Sequence, residues 1–261
     1  MHLIDTHCHW NHERLRNEMS SGLNRAREAG VNQMIVVGYD PASSEEAVAI
    51  ASAHSGQLFA TVGIHPHNAK DWSDASAFWL REIASNPSVV AIGEIGLDFH
   101  HDFSPIESQY VALEAQMSVA NELGLPVIIH CREAYPECLA ALKASGISET
   151  GGVMHCWAGT WAQAEQSLEL GMYLGIGGVV TYPKDTDIHE AAIKCPAERL
   201  LLETDAPFLT PVPHRGKLNE PSYLRLIAQR IADLRGISIE ELNEITTANA
   251  ERLFKLQRST L

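Results

Sequence analysis

Eight short apolar runs rich in Val, Ile and Leu punctuate the chain. They are Leu3-Ile4, Met34 to Val37, Leu58 to Val62, Val89 to Ile92, Val127 to Ile129, Gly152 to Met154, Met172 to Ile176 and Leu200 to Leu202. Each reads as a strand, and near-continuous apolarity marks burial on both faces. The longer segments between them carry helical spacing. Steps of about 20 to 36 residues from strand to strand are the size of βα units. Alternation of strand and helix implies parallel pairing, because each crossover needs a helix. Eight such units predict an α/β fold, a (β/α)8 TIM barrel occupying residues 1–261 as one domain. The runner-up is an open doubly wound sheet. That fold usually places a glycine-rich phosphate turn after its first strand, where this chain has histidines.

Helix ends are marked too. Ser104-Pro105-Ile106-Glu107 reads as a capping box with Pro at the first helical position, and Gly124 closes that helix. Asn219 precedes a stripe of Leu224, Ile227, Ala228, Ile231 and Leu234 that ends before Gly236. Ser238 to Glu241 opens a last helix with Ile239, Leu242, Ile245 and Leu253 on one face. No linker and no short repeat divides the chain.

Composition narrows the partners. Lys plus Arg total 19 against 33 Asp plus Glu, a net charge of −14. That excludes a broadly basic nucleic-acid coat and leaves room for a local basic pocket. The N-terminus turns polar at Asp5, so no secretory signal is expected. The longest uncharged, mostly apolar stretch, Gly171 to Val180, is too short to span a bilayer, and no membrane partner is expected. Cysteines 8, 131, 138, 156 and 195 form no CxxC pair and read as reduced thiols of a cytoplasmic protein.

The chemistry collects where strands should end. In a barrel these ends converge on one mouth. They read Asp5 to His9, Gly63 to His67, Gly93 to Asp98, His130 to Glu133, His155 to Trp157 and Glu203 to Pro207. His7 and His9, two apart on extended chain, point to one side and can bind one cation. Glu94, His130, His155 and Asp205 fall at matching positions on other strands. Four histidines and two carboxylates exceed the needs of one ion and suit two divalent cations, with Glu94 as the best bridge. The mixed nitrogen and oxygen set accommodates Mg²⁺, Mn²⁺ or Zn²⁺. Cys8, Cys131 and Cys156 each follow a candidate ligand, so period-two alternation turns them toward the helix layer as packing residues. His12, His100 and His101 read as solvated surface.

These residues carry a resemblance. IDTHCH from Ile4, GIHPH from Gly63, GEIGLDF from Gly93, IIHCRE from Ile128, MHCWAG from Met154, LLETDAPFL from Leu201 and TTANAERLF from Thr246 resemble, in order, the TatD-related hydrolases. The resemblance implies a TIM-barrel, metal-dependent deoxyribonuclease or related phosphodiesterase. It implies one ion held by His7, His9, Glu94 and Asp205, a second by Glu94, His130 and His155, and His65 close to the phosphate. Two stretches depart from the family pattern: Leu218 replaces a frequent basic residue, and Trp157-Ala158-Gly159 replaces a more usual Phe-Ser-Gly.

The expected reaction is hydrolysis of a phosphodiester by a water activated between two cations. Asp205 is then a ligand and the base, with Glu94 and His65 also catalytic. His65 and Arg132 are candidates to hold a phosphate oxygen. Arg215 and Lys217, with Lys184 as a weaker third, are the basic residues placed to grip a strand. So few cations favour trimming the ends of single-stranded DNA, as a 3′-5′ exodeoxyribonuclease acting as a monomer or weak oligomer. The rival is an amidohydrolase, lactonase or aminoacyl-ester hydrolase on the same barrel. A metal-dependent binding module is the non-enzymatic alternative.

Overall fold

A computed structural model describes residues 1–257. The last four positions of the expected domain lie outside the described residues. Strands β1 (Leu3–Cys8), β2 (Val31–Val37), β3 (Leu58–Val62), β4 (Val89–Asp98), β5 (Val127–Arg132), β6 (Gly152–Met154), β7 (Met172–Ile176) and β8 (Leu200–Leu202) pair in parallel in chain order. Cys8 bridges Ala206, Asp205 N donates to His7 O, and His9 N donates to Ala206 O. These bonds bring the end of β8 onto the end of β1 and close the barrel at its mouth. The α/β barrel expectation holds.

The intervening helices are α1 (Glu13–Arg16), α2 (Met19–Glu28), α3 (Pro41–Ala53), α4 (Asp74–Ala84), α5 (Ile106–Leu123), α6 (Tyr135–Ser145), α7 (Trp161–Glu169), α8 (Thr186–Lys194), α9 (Leu224–Arg235) and α10 (Ile239–Phe254). Two apolar clusters result. Ile4, Ile35, Val37, Ala91, Ile128, Val153, Tyr173 and Leu201 fill the barrel, and Ala250, Leu253 and Phe254 of α10 join them. Asn249 Nδ2 donates to Ala197 O and Leu200 O at the start of β8, so α10 packs at the end opposite the mouth. The larger cluster lies between strands and helices and includes Trp10, Met34, Leu113, Met117 and Leu142. No helix among the described residues is long and apolar enough to cross a membrane.

β3, β6, β7 and β8 span the expected runs. β1, β2, β4 and β5 are longer. β4 reaches Asp98 because Gly96, Leu97 and Asp98 stay in register with His130, Cys131 and Arg132. An apolar run stops where the site residues begin, although the ladder continues through them.

Two helix starts also differ. Pro105, not Ser104, is the N-cap of α5 and makes no side-chain cap bond. The Ser104 hydroxyl is engaged elsewhere: it donates to His67 O (2.8 Å) and accepts from Lys70 N (3.1 Å). Asn219 caps nothing. Its amide donates to Thr204 O and Phe208 O, tying the loop after β8 to the mouth. Gly124 and Gly236 close their helices with φ of 63° and 68°. Ser238 Oγ accepts from Glu241 N (3.1 Å), as its motif predicts.

Candidate metal centre

β1 supplies His7 and His9. Their Nε2 atoms face each other at 3.2 Å. Glu94 Oε2 lies 3.5 Å from His7 Nε2, and Asp205 Oδ1 lies 3.4 Å from His9 Nε2. His9 Nδ1 sits 3.2 Å from Val37 O, an acceptor, so the ring proton is assigned to Nδ1 and Nε2 presents a lone pair. Lone pairs and carboxylate oxygens converging in a buried space repel one another unless a cation joins them. The donor set therefore fits a divalent ion.

The second set forms around the other oxygen of Glu94. Oε1 is 2.8 Å from His130 Nδ1, 3.4 Å from His65 Nε2 and 3.8 Å from His155 Nε2. The His130 ring spans two carboxylates, since its Nε2 lies 3.1 Å from Asp98 Oδ2. Burial works against charge on His130, but its bonds to Asp98 and Glu94 outweigh it and raise the pKa to about 9. Burial also works against charge on Glu94. The surrounding imidazoles outweigh it and hold the carboxyl well below its ordinary range.

His155 stacks on His7, with ring centroids 3.5 Å apart, and its Nε2 is 3.9 Å from Asp205 Oδ1. Its Nδ1 lies 2.9 Å from Glu203 Oε1. The carboxylates of Glu203, Glu94 and Asp205 overcome burial and raise the His155 pKa to about 10. Glu203 also accepts from Cys156 N (2.6 Å). A Cβ on Gly175 would collide with the Glu203 carboxylate, so β7 needs glycine there. Asp205 takes φ of 55°, in the left-handed region, and is held there by its N–H on His7 O and by Phe208 N on its own carbonyl.

Cys156 departs from expectation. Its thiol converges with His155 and Asp205 instead of facing the helices. The chain has left β6 at Met154 and takes φ of 47° at Cys156, so strand alternation no longer applies. Burial and then the nearby carboxylates push the thiol pKa well up and keep it protonated. Cys8 and Cys131 are buried in the apolar cluster as expected.

His65 Nδ1 accepts from His67 N (3.1 Å), so its proton is assigned to Nε2, the atom facing Glu94. Burial lowers the His65 pKa to about 4. A neutral N–H donor suits a phosphate oxygen better than it suits a metal ligand. Arg132 is exposed at the end of β5 and favours ionisation of Cys156, which puts its charge on the mouth side. Arg215 stacks over Tyr182 at 4.3 Å, and Lys217 is exposed.

The residues missed from sequence are Asp5, Asp98 and Glu203, all buried. Asp5 accepts from Thr204 N, Thr204 Oγ1 and His7 N, fastening β1 to the chain beyond β8 beneath the candidate ligands. Burial, only partly offset by those bonds, pushes its pKa up to about 7. Two histidines assigned to solvated surface stay partly exposed but also hold partners. His101 Nδ1 lies 3.0 Å from Asp98 Oδ2, and His12 caps α1 while its ring meets Phe208 edge-on.

The TatD related DNase family model matches residues 4–255. The chain belongs to the TatD related DNase family. YabD of Bacillus subtilis, named an uncharacterized metal-dependent hydrolase, is 39% identical over 254 residues, covering 97% of this chain and 99% of that protein. The 3′-5′ ssDNA/RNA exonuclease TatD of Erwinia amylovora is 42% identical over 237 residues, 89% of this chain and 92% of the relative. The crystal structure of YJJV, a TatD homolog from Escherichia coli, superposes with a TM-score of 0.92 at 32% identity over 98% of each chain. This TatD-family barrel therefore matches its relatives along nearly its whole length.

Proposed function

We propose that the protein is a two-cation phosphodiesterase that trims single-stranded DNA from its 3′ end. The observation that carries this reading is the division of Glu94, one oxygen turned to His7 and the other to His130. His7, His9 and Asp205 would share one cation with Glu94, and His130 and His155 the other. Mg²⁺, Mn²⁺ or Zn²⁺ all suit these ligands. When bound, the cations acidify water and neutralise charge growing on the phosphoryl oxygens.

The chain's own residues supply the rest. Asp205, whose pKa is lowered because its histidine partners outweigh burial, takes the proton of the attacking water. The His65 N–H holds a phosphoryl oxygen, with Arg132 reaching from the end of β5. Glu203 and Asp98 orient His155 and His130. Arg215 and Lys217 grip the strand beyond the scissile bond. So short a grip suits a strand end. The relatives named ssDNA/RNA exonucleases support both the bond type and the single-stranded substrate. The five free cysteines fit a reducing cytoplasm, and we expect a monomer or weak oligomer.

The test is a side-by-side incubation of metal-loaded protein with 5′-labelled single-stranded DNA, the matching duplex, an aminoacyl ester and a lactone. The reading expects a ladder shortening from the 3′ end of the single strand. Hydrolysis of the ester or lactone with intact DNA would overturn it.

A further inference from the structure

At the rim of the mouth, beside the second cation position, three imidazoles meet one carboxylate oxygen, one of them the His130 already placed there. Asp98 Oδ2 lies 2.8 Å from His67 Nε2, 3.0 Å from His101 Nδ1 and 3.1 Å from His130 Nε2. The other oxygen, Oδ1, already accepts the backbone N–H groups of His100 (3.0 Å) and His101 (2.9 Å). A carboxylate oxygen offers about two lone-pair sites. Three ring nitrogens thus crowd about two lone-pair sites on Oδ2, and a cation shared by two of the rings would relieve that crowding.

We propose that His67, Asp98 and His101 form a further divalent-cation site. His67 Nε2, Asp98 Oδ2 and His101 Nδ1 lie within 4.8 Å of one another. Ligands at about 2.0–2.2 Å from one ion stand roughly 3–3.5 Å apart, so the two shorter nitrogen–oxygen distances need only a small outward shift to admit one.

The site is built, not incidental. Gln109 clamps the Asp98 backbone, accepting from its N–H (2.8 Å) and donating to its carbonyl (3.0 Å). Phe103 stacks on His101 at 5.4 Å and 8°, and meets His67 edge-on at 4.8 Å, so both rings are held. The Asp98 side chain is fully buried, while those of His67 and His101 are 30% and 38% exposed. Solvent thus reaches the two imidazoles and can complete the coordination. Two imidazoles and one carboxylate favour a transition ion such as Zn²⁺ or Co²⁺ over Mg²⁺. Its role is electrostatic. It places positive charge on the rim of a chain of net charge −14, where a phosphate strand must approach.

The experiment titrates the full-length protein with Co²⁺ and reads bound equivalents and visible ligand-field bands. It compares wild type, His67→Ala/His101→Ala and the volume-conserving His101→Gln. His7→Ala and His155→Ala serve as the controls for the two inner positions. The proposal expects both rim variants to lose one Co²⁺ equivalent and its bands, while each control loses different bands and keeps these. Equal equivalents and identical spectra in wild type and the folded His101→Gln protein would overturn it. The cluster would then be a hydrogen-bond network. Because the readout is a difference at the rim, it is independent of whether DNA is the substrate.

Discussion

Glu94 Oε1 and His130 Nδ1 meet at 2.8 Å, on the side of the carboxylate opposite the oxygen that faces His7. One side chain thus joins two histidine sets that come from strands on different sides of the barrel. The fold makes this possible because eight strand ends converge on one mouth. Changes behind either set should therefore be felt at the centre.

Glu203 sits behind His155. Glu203→Gln preserves volume and removes the charge that orients the imidazole. It should weaken metal affinity by about 10–100-fold, read by competition with a chromogenic chelator. Glu203→Ala should cost about 3 kcal/mol of stability, because it strands a buried charged imidazole. Gly175→Ala should reproduce the affinity loss by pushing the Glu203 carboxylate aside. Unchanged affinity in Glu203→Gln would remove its orienting role.

The metal-free protein should lose stability as pH rises from 7 to 10. His130 and His155 have folded pKa values of about 9 and about 10 against an ordinary 6.5. A raised folded pKa means that the stabilisation is complete below about pH 6.5 and is lost as pH passes through 9 and 10. Urea midpoints across this range check the sign. Metal binding displaces the same protons, so apparent metal affinity should climb over the same window. A metal-free midpoint that stays flat or rises would contradict these assignments.

Arg215→Ala/Lys217→Ala should raise KM on single-stranded DNA several-fold and flatten its salt dependence by up to about two phosphate contacts. Hydrolysis of a small chromogenic phosphodiester should change little, because the grip lies outside the reacting centre. Equal loss on both substrates would make the loop after β8 part of the catalytic scaffold. Loss on neither would place the grip elsewhere.

The barrel was legible because strands buried on both faces leave near-continuous apolar runs, as in Met172 to Ile176. The convergence of the candidate ligands was legible because polar residues at strand ends break those runs. Asp98 and Glu203 were not, because their partners arrive from other strands: His130 from β5 for one, His155 beyond β6 for the other. Ser104 carries the local signature of a helix cap, yet its hydroxyl is claimed by His67 and Lys70, far away in sequence. Cys156 followed a rule of strand alternation that ends with the strand. Local pattern reports the backbone's preferences, and these residues answer to tertiary partners.

The most direct test of the two-cation centre is electron paramagnetic resonance of the protein loaded with Mn²⁺. Two Mn²⁺ ions sharing Glu94 should give the signal of a magnetically coupled pair. Glu94→Gln should abolish that coupling, weaken both sites together and lower phosphodiester hydrolysis by several orders of magnitude. An uncoupled Mn²⁺ signal in the active wild-type protein, or a coupled pair and full rate retained in Glu94→Gln, would contradict the account.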